Sequence, residues 1–270
     1  WLLVALVAAT GAMVWIAWCW SHALALVGHD AAGRPDRRRT FAWYFGGEIG
    51  KYVPGGVWTV VGRGELARRG GVTASRAYTS VALSLAALYL AGLMVAMALV
   101  PLSALFGVRP SATLALLGLL PLGLLALHPR VLGRARAILV RLTGRGQTTA
   151  LPPWRATIGL IVRYVPAWLM IWAATWCVAR ALMPDPPVLR IGIATMVSWV
   201  AGIAAVPVPA GAGVREATFV ALAGLSLGLG ATVAVASRLL FIVVDLLGAV
   251  LTAPWNVRRA TSARSKAPAP

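Results

Sequence analysis

Long apolar stretches alternate along this chain with short basic segments, and two of them, 77–108 and 191–214, contain no charged side chain. Each exceeds the ~20 residues that carry an α-helix across a bilayer. The pattern predicts full spans over 1–27, 77–100, 114–127, 158–182 and 231–255. Two further stretches read differently. Residues 41–66 carry Glu48, Lys51, Arg63 and Glu65 and are broken by Gly46, Gly47, Gly50, Pro54, Gly55, Gly56, Gly62 and Gly64. Residues 191–230 set two apolar arms around Pro207, Pro209, Gly211, Gly213, Arg215 and Glu216. Broken backbone survives at membrane depth only where it is buried in protein or lines a wet cavity. Both stretches therefore predict re-entrant helical hairpins, the first entering from inside with its tip at 54–56, the second entering from outside.

The order is then span, inner hairpin, span, connector, span, outer hairpin, span. The second triplet runs opposite to the first. Val53-Pro54-Gly55-Gly56-Val57 leads to Arg63-Gly64-Glu65, as Val208-Pro209-Ala210-Gly211-Ala212-Gly213 leads to Arg215-Glu216. Two interrupted segments in corresponding halves point to an inverted repeat with its site near the midplane. The expected fold is an all-α polytopic membrane protein: one transmembrane domain over 1–257, about five full spans, and a disordered basic tail over 258–270.

Composition agrees with the pattern. Residues AVILMFWYC make up 60% of the 270 and charged residues only 12%, which excludes a water-soluble globule. Twenty-five bases against seven acids give +18, a balance that in a soluble chain would suggest nucleic acid. Here the bases lie between apolar runs, which points to anionic lipid headgroups on the cytoplasmic leaflet instead. Residues 128–147, with five arginines among apolar residues, read as a basic amphipathic helix on the inner surface. Cys19 and Cys177 lie in apolar stretches and offer neither a disulfide framework nor a zinc spacing. The chain opens at Trp1 in place of methionine, which points to missing N-terminal sequence.

Ionisable residues at membrane depth carry most of the chemical information, because each must be paired, hydrated or useful. Glu48 and Lys51 lie three apart, so one helical face can hold both. They either neutralise each other and fix the hairpin or serve transport. Asp245 can pair with Arg238, Arg163 or a hairpin base. Arg63 with Glu65, and Arg215 with Glu216, follow glycine-rich turns. They are either salt bridges closing the hairpins or parts of a phosphate receptor, in which a guanidinium fork and turn amides match phosphate oxygens. The candidate substrate-binding set is Glu48, Lys51, Pro54, Gly55, Gly56, Arg63, Glu65, Pro209, Gly211, Gly213, Arg215 and Glu216, with Glu65 and Glu216 orienting the arginines. Glu48 and Asp245 are candidates for ion or proton coupling. Gly46 to Lys51 is one residue short of a phosphate loop and lacks its Ser or Thr, and Gly62 to Ala67 matches a dinucleotide fingerprint without the strand that must precede it. His22, His29 and His128 show no metal spacing. No cofactor, no metal and no catalytic group is expected.

At these residues the chain resembles a known family. Residues 44–56, then Gly62-Arg63-Gly64-Glu65 and Arg69-Gly70-Gly71-Val72, and the run from Pro207 to Glu216, are similar to the two signatures of the flippase-like family named for the lysylphosphatidylglycerol synthase transmembrane region. The resemblance runs from Phe41 to Arg258. It implies a multi-pass bacterial inner-membrane protein associated with moving phospholipids or polyprenyl-phosphate-linked sugars between leaflets, and it does not imply the synthase reaction, which belongs to a soluble aminoacyl-transferring domain.

The reading is a lipid transporter whose partner is an anionic phospholipid or polyprenyl-phosphate lipid. Its alternatives are an intramembrane enzyme acting on a lipid-linked phosphate or sugar, and a scaffold that recruits a lipid-modifying glycosyltransferase through residues 130–145. The arginine distribution predicts that single cysteines at 37, 68, 136 and 258 react only with reagent admitted to the cytoplasm, and one at 185 from outside. Labelling of position 136 from outside would contradict this topology.

Overall fold

The computed structural model describes residues 1–28, 35–53, 57–105, a few positions between 121 and 131, 152–205 and 208–257. Among them every regular element is helical: α1 (Leu2–Leu26), α2 (Arg37–Glu48), a 3₁₀ turn (Ile49–Tyr52), α3 (Trp58–Arg69), α4 (Ala74–Leu105), α5 (Trp154–Leu182), α6 (Val188–Ala204), a 3₁₀ turn (Pro209–Gly211), α7 (Val214–Ala223), α8 (Leu227–Thr252) and α9 (Pro254–Val257). Four of these are long and apolar enough to cross a membrane: Leu2–Leu26, Ala74–Leu99, Trp154–Leu182 and Leu227–Thr252. The chain is a multi-pass membrane protein. The expected span over 114–127, the surface helix over 128–147, the loop tip at 54–56 and the tail over 258–270 lie wholly or mostly outside the described residues. The last span begins at Leu227, four residues before the expected start, because Gly228 and Gly230 are accommodated inside its first turn.

Small residues decide how the spans meet. Ala5, Ala9, Ala12, Ile16, Ala17, Trp20, Ala23 and Leu24 recur at helical spacing and are buried, while Leu3, Val4, Val7 and Val14 on the other faces are exposed. The stripe of alanines lets α1 lie close along α5. Polar side chains then lock neighbouring helices together. Trp15 Nε1 donates to Arg163 O at 2.8 Å, Trp20 Nε1 to Ser80 Oγ at 3.2 Å, and Trp168 Nε1 to Leu88 O at 2.6 Å. Ser84 and Tyr164 share a hydroxyl hydrogen bond of 2.5 Å, and Arg76 Nε donates to Leu24 O at 3.0 Å.

Two short helix pairs are held between the spans. α2 packs on α3 and also on α8, whereas α6 packs on α7 and also on α4; α3 leans on α4 and α7 on α8. Each pair depends on a glycine at the crossing. A Cβ on Gly47 would come 2.7 Å from the Arg63 backbone nitrogen, and one on Gly211 would come 2.6 Å from the Gly202 oxygen. Gly211 also has φ of +64°, a region that side-chain-bearing residues seldom occupy.

Gly211→Ala therefore combines backbone strain with overpacking and should destabilise the detergent-solubilised protein by about 1–3 kcal/mol or more. Gly159→Ala, in α5 with nothing within 4 Å of the added carbon, should leave the thermal midpoint unchanged or raise it. Thermal unfolding of the two variants beside the native chain separates a packing glycine from an incidental one.

Candidate functional site

Where the two short pairs face each other, a cavity of about 120 Å³ opens between them and the flanking helices. Its polar wall is formed by Glu48, Lys51, Tyr52, Arg63, Arg215 and Arg238, and its apolar wall includes Met13, Leu88, Tyr89, Trp199 and Phe241. Of the residues expected from sequence to bind substrate, Glu48, Lys51, Arg63, Gly211 and Arg215 line this cavity, while Pro54, Gly55 and Gly56 lie outside the described residues.

The charges pair differently from the sequence expectation. Arg63 is joined through Nη2 to Glu48 Oε1, not to Glu65. On a helix, side chains two apart point to opposite sides, so Arg63 turns inward and Glu65 outward. Glu65 instead takes hydrogen bonds from Arg68 at 2.7 and 2.8 Å and from Arg69 at 2.9 Å, the spacing that shares a face. Glu65 therefore orients neither Arg63 nor any ligand in the cavity.

The same correction applies to the second pair. Adjacent helical residues diverge by about 100°, and Glu216 leaves Arg215 to accept from Arg238 Nη1 at 2.5 Å. Its other oxygen accepts the Gly213 amide at 2.6 Å, capping α7. Arg238 Nη2 also donates to Pro209 O at 3.3 Å, so α8 holds both the turn between α6 and α7 and the first turn of α7. The expected glycine amides are likewise engaged: Gly211 N donates to Val208 O at 3.1 Å and Gly213 N to Glu216.

A third pair connects the other side. Lys51 Nζ lies 2.5 Å from Asp245 Oδ2 and 3.1 Å from Glu48 Oε2, and Tyr52 OH donates to Asp245 Oδ2 at 2.7 Å. Of the partners open to Asp245, the structure selects the hairpin base. Asp245 is fully buried on α8, and its Oδ1 has no partner among the described residues.

Arg215 is left over. Among the described residues it meets no carboxylate and no carbonyl, and its guanidinium lies over the Trp199 ring, 4.0 Å from the centroid. Arg63 has a matching arrangement over Tyr44, at 4.2 Å. Both aromatic residues stand three positions before the glycine at their helix crossing, Tyr44 before Gly47 and Trp199 before Gly202, and each glycine lies against the arginine of the following helix. Met13 then touches Tyr44 as Trp168 touches Trp199. The aromatic-x-x-glycine spacing is visible in the sequence once the hairpins are laid side by side; without it Tyr44, Trp199 and Tyr89 do not stand out, and Arg238 stands out only as a partner for Asp245. The two arginines differ in one respect. Arg63 is 2% exposed and neutralised by Glu48, whereas Arg215 has no carboxylate partner among the described residues.

Groups of three or more potential metal ligands are absent among the described residues. A family model described as lysylphosphatidylglycerol synthase TM region matches residues 1–253, and the chain belongs to that family. Comparison with curated proteins finds no match.

The observed pairing makes a stability prediction that differs from the sequence expectation. Glu48→Gln leaves Arg63 buried and unneutralised and should cost about 3–5 kcal/mol in unfolding experiments. Glu65→Gln, at a partly exposed position whose two arginine partners reach solvent, should leave the thermal midpoint nearly unchanged.

Proposed function

We propose that this member of the lysylphosphatidylglycerol synthase transmembrane-region family is a lipid translocase, in which the cavity receives a phosphate-bearing head while the acyl or prenyl tails stay in the bilayer. The observation that carries the reading is Arg215, a guanidinium lining the cavity with no carboxylate partner among the described residues. A cation so placed is costly unless a ligand completes it, and its forked donors match phosphate oxygens. Glu48, Lys51 and Arg63 form the paired floor against which the head is bounded.

Transport between leaflets requires the cavity to open to each side in turn. We read the two halves as an inverted repeat with re-entrant hairpins. In support, the element order of α1–α4 recurs in α5–α8, each hairpin packs on the last span of the other half, and both carry the aromatic, glycine and arginine arrangement. α8 ties both hairpins, the first through Asp245 and Lys51, the second through Arg238 and Glu216. These two α8 residues are seven apart, about 10 Å along the helix. In the proposed cycle one tie opens while the other holds, so the cavity is never open to both sides. No nucleotide motif is present in the sequence, and transport then follows the lipid gradient or a proton carried by Glu48 or Asp245. The proposed setting is the bacterial inner membrane with a cytoplasmic C-terminal tail.

Arg215→Ala should fold, since no carboxylate loses its partner, and should abolish movement of labelled lipid in reconstituted vesicles. Arg215→Lys keeps the charge without the fork and should recover part of the rate. Adding Glu216→Ala to Arg215→Ala should not restore transport, because Glu216 serves Arg238. An active Arg215→Ala protein would overturn the phosphate-grip reading.

A further inference from the structure

Three carboxylates hold the two short helix pairs in place, and they differ in what each would leave behind on taking up a proton. Glu48 has both oxygens engaged, Oε1 with Arg63 and Oε2 with Lys51. Glu216 has both engaged too, Oε1 with Arg238 and Oε2 with the Gly213 amide. Asp245 gives Oδ2 to Lys51 and Tyr52, while its Oδ1 has no partner among the described residues. Of the three, Asp245 is the one whose ionised form is least satisfied. It is also 0% exposed, on a helix long and apolar enough to cross a membrane.

The cations give the same answer. Neutralising Glu48 strands Arg63, and neutralising Glu216 strands Arg238 and uncaps α7. Neutralising Asp245 leaves Lys51 with Glu48, so no cation here loses its last carboxylate. A buried charge left unpaired is what makes breaking an ion pair costly, and that cost is avoided only at Asp245. A route to it exists as well: Tyr52 lines the cavity, and its hydroxyl donates to Asp245 Oδ2 at 2.7 Å. Among the elements packed on α8, the 3₁₀ turn presents Lys51 and Tyr52, and α2 presents Glu48 and Tyr44, with Arg63 of α3 behind Glu48. α7 presents Glu216, held by Arg238 about 10 Å farther along α8. α1 and α5 contain no acid, Arg163 of α5 is exposed, and α9 has no ionisable side chain.

We propose that Asp245 is a proton-binding site through which the chain moves an anionic lipid together with a proton. The proposal rests on the translocase reading above and names what drives it. The Tyr52 hydroxyl passes its proton to Asp245 Oδ2 and takes one from water in the cavity. The carboxylate becomes a neutral acid, and the Lys51 ammonium is left with Glu48 alone. The charged tie between α8 and the first hairpin is thereby released, and the cavity wall becomes more positive by the charge of the proton. Proton and anionic head therefore favour each other's binding, each to the same degree by linkage. Together they also carry less net charge through hydrocarbon than the head alone. The proton leaves by the same hydroxyl once the cavity faces the other side.

The test uses the full chain in phosphatidylcholine vesicles holding a trace of labelled phosphatidylglycerol or labelled prenyl phosphate. Valinomycin with equal potassium clamps the membrane potential, and a pH difference of about one unit is imposed. With native protein the lipid should accumulate in the leaflet facing the alkaline side, approaching about tenfold for one proton per lipid. Asp245→Asn fixes the side chain in a neutral form and should only equalise the leaflets, whatever the pH difference. Should that variant fail to fold, Tyr52→Phe keeps Asp245 on Lys51 and removes the relay. It should slow the pH-driven accumulation by about tenfold or more, the scale of a lost proton-transfer group. Native protein that equalises the leaflets at any pH difference, or accumulation that persists in Asp245→Asn, would overturn the proton site while leaving a translocase in place. Accumulation toward the acidic side would overturn joint movement. Movement of neither lipid by the native chain would overturn the translocase reading and the coupling with it.

Discussion

A charge placed at membrane depth must find an opposite charge, and in this chain the spacing of seven acids among 25 bases leaves few ways to satisfy that rule. Three carboxylates, Glu48, Glu216 and Asp245, do most of the organising. Glu48 holds Arg63 against the first hairpin, Asp245 fastens that hairpin to α8, and Glu216 fastens the second hairpin to the same helix while capping α7. Removing Glu48 or Glu216 exposes a cation that lipid cannot solvate. The pairing thus supplies less net stability than it supplies geometry, since the gain of each bridge is largely offset by desolvation while the cost of breaking one is not.

Packing makes the pairing possible. Gly47 and Gly211 bring backbones within the distance at which a methyl group would collide, and this draws the arginine of each second arm onto an aromatic ring of its first arm. The two hairpins therefore begin from the same local arrangement and diverge in one substituent. The residue after Gly47 is Glu48, while the residue after Gly202 is Ile203. One carboxylate pairs with the first arginine, and its absence leaves the second without a carboxylate partner among the described residues, lining the cavity.

Much of this was legible before any coordinates. Long apolar runs located the four described spans, and glycine and proline breaks located the two irregular segments, because backbone cannot be left unpaired in hydrocarbon. Four of the charged residues that line the cavity, Glu48, Lys51, Arg63 and Arg215, stood out for the same reason, as ionisable groups where none is cheap. Pairing was not legible. Proximity in sequence suggested Arg63 with Glu65 and Arg215 with Glu216, yet neighbours on a helix face different directions, and the true partners come from one turn away, from the other arm of the helix pair or from a span. Tyr44 and Trp199 escaped notice since an aromatic residue in an apolar run looks like core until its ring is seen beneath a guanidinium. Arg238 was weighed only as a partner of Asp245 on its own helix, whereas it reaches across to Glu216 and Pro209.

The account turns on Arg215, which has no carboxylate partner among the described residues and which we propose a lipid phosphate completes. The most direct measurement is an electron cryomicroscopy map of the full chain in nanodiscs of a singly charged phosphodiester lipid, at a resolution that separates side chains. The account predicts phosphate density within hydrogen-bonding distance of the Arg215 guanidinium on the cavity side, with Glu216 still on Arg238 and Asp245 still on Lys51. A guanidinium bound to a protein carboxylate, with lipid phosphates confined to the outer surface of the bundle, would contradict it.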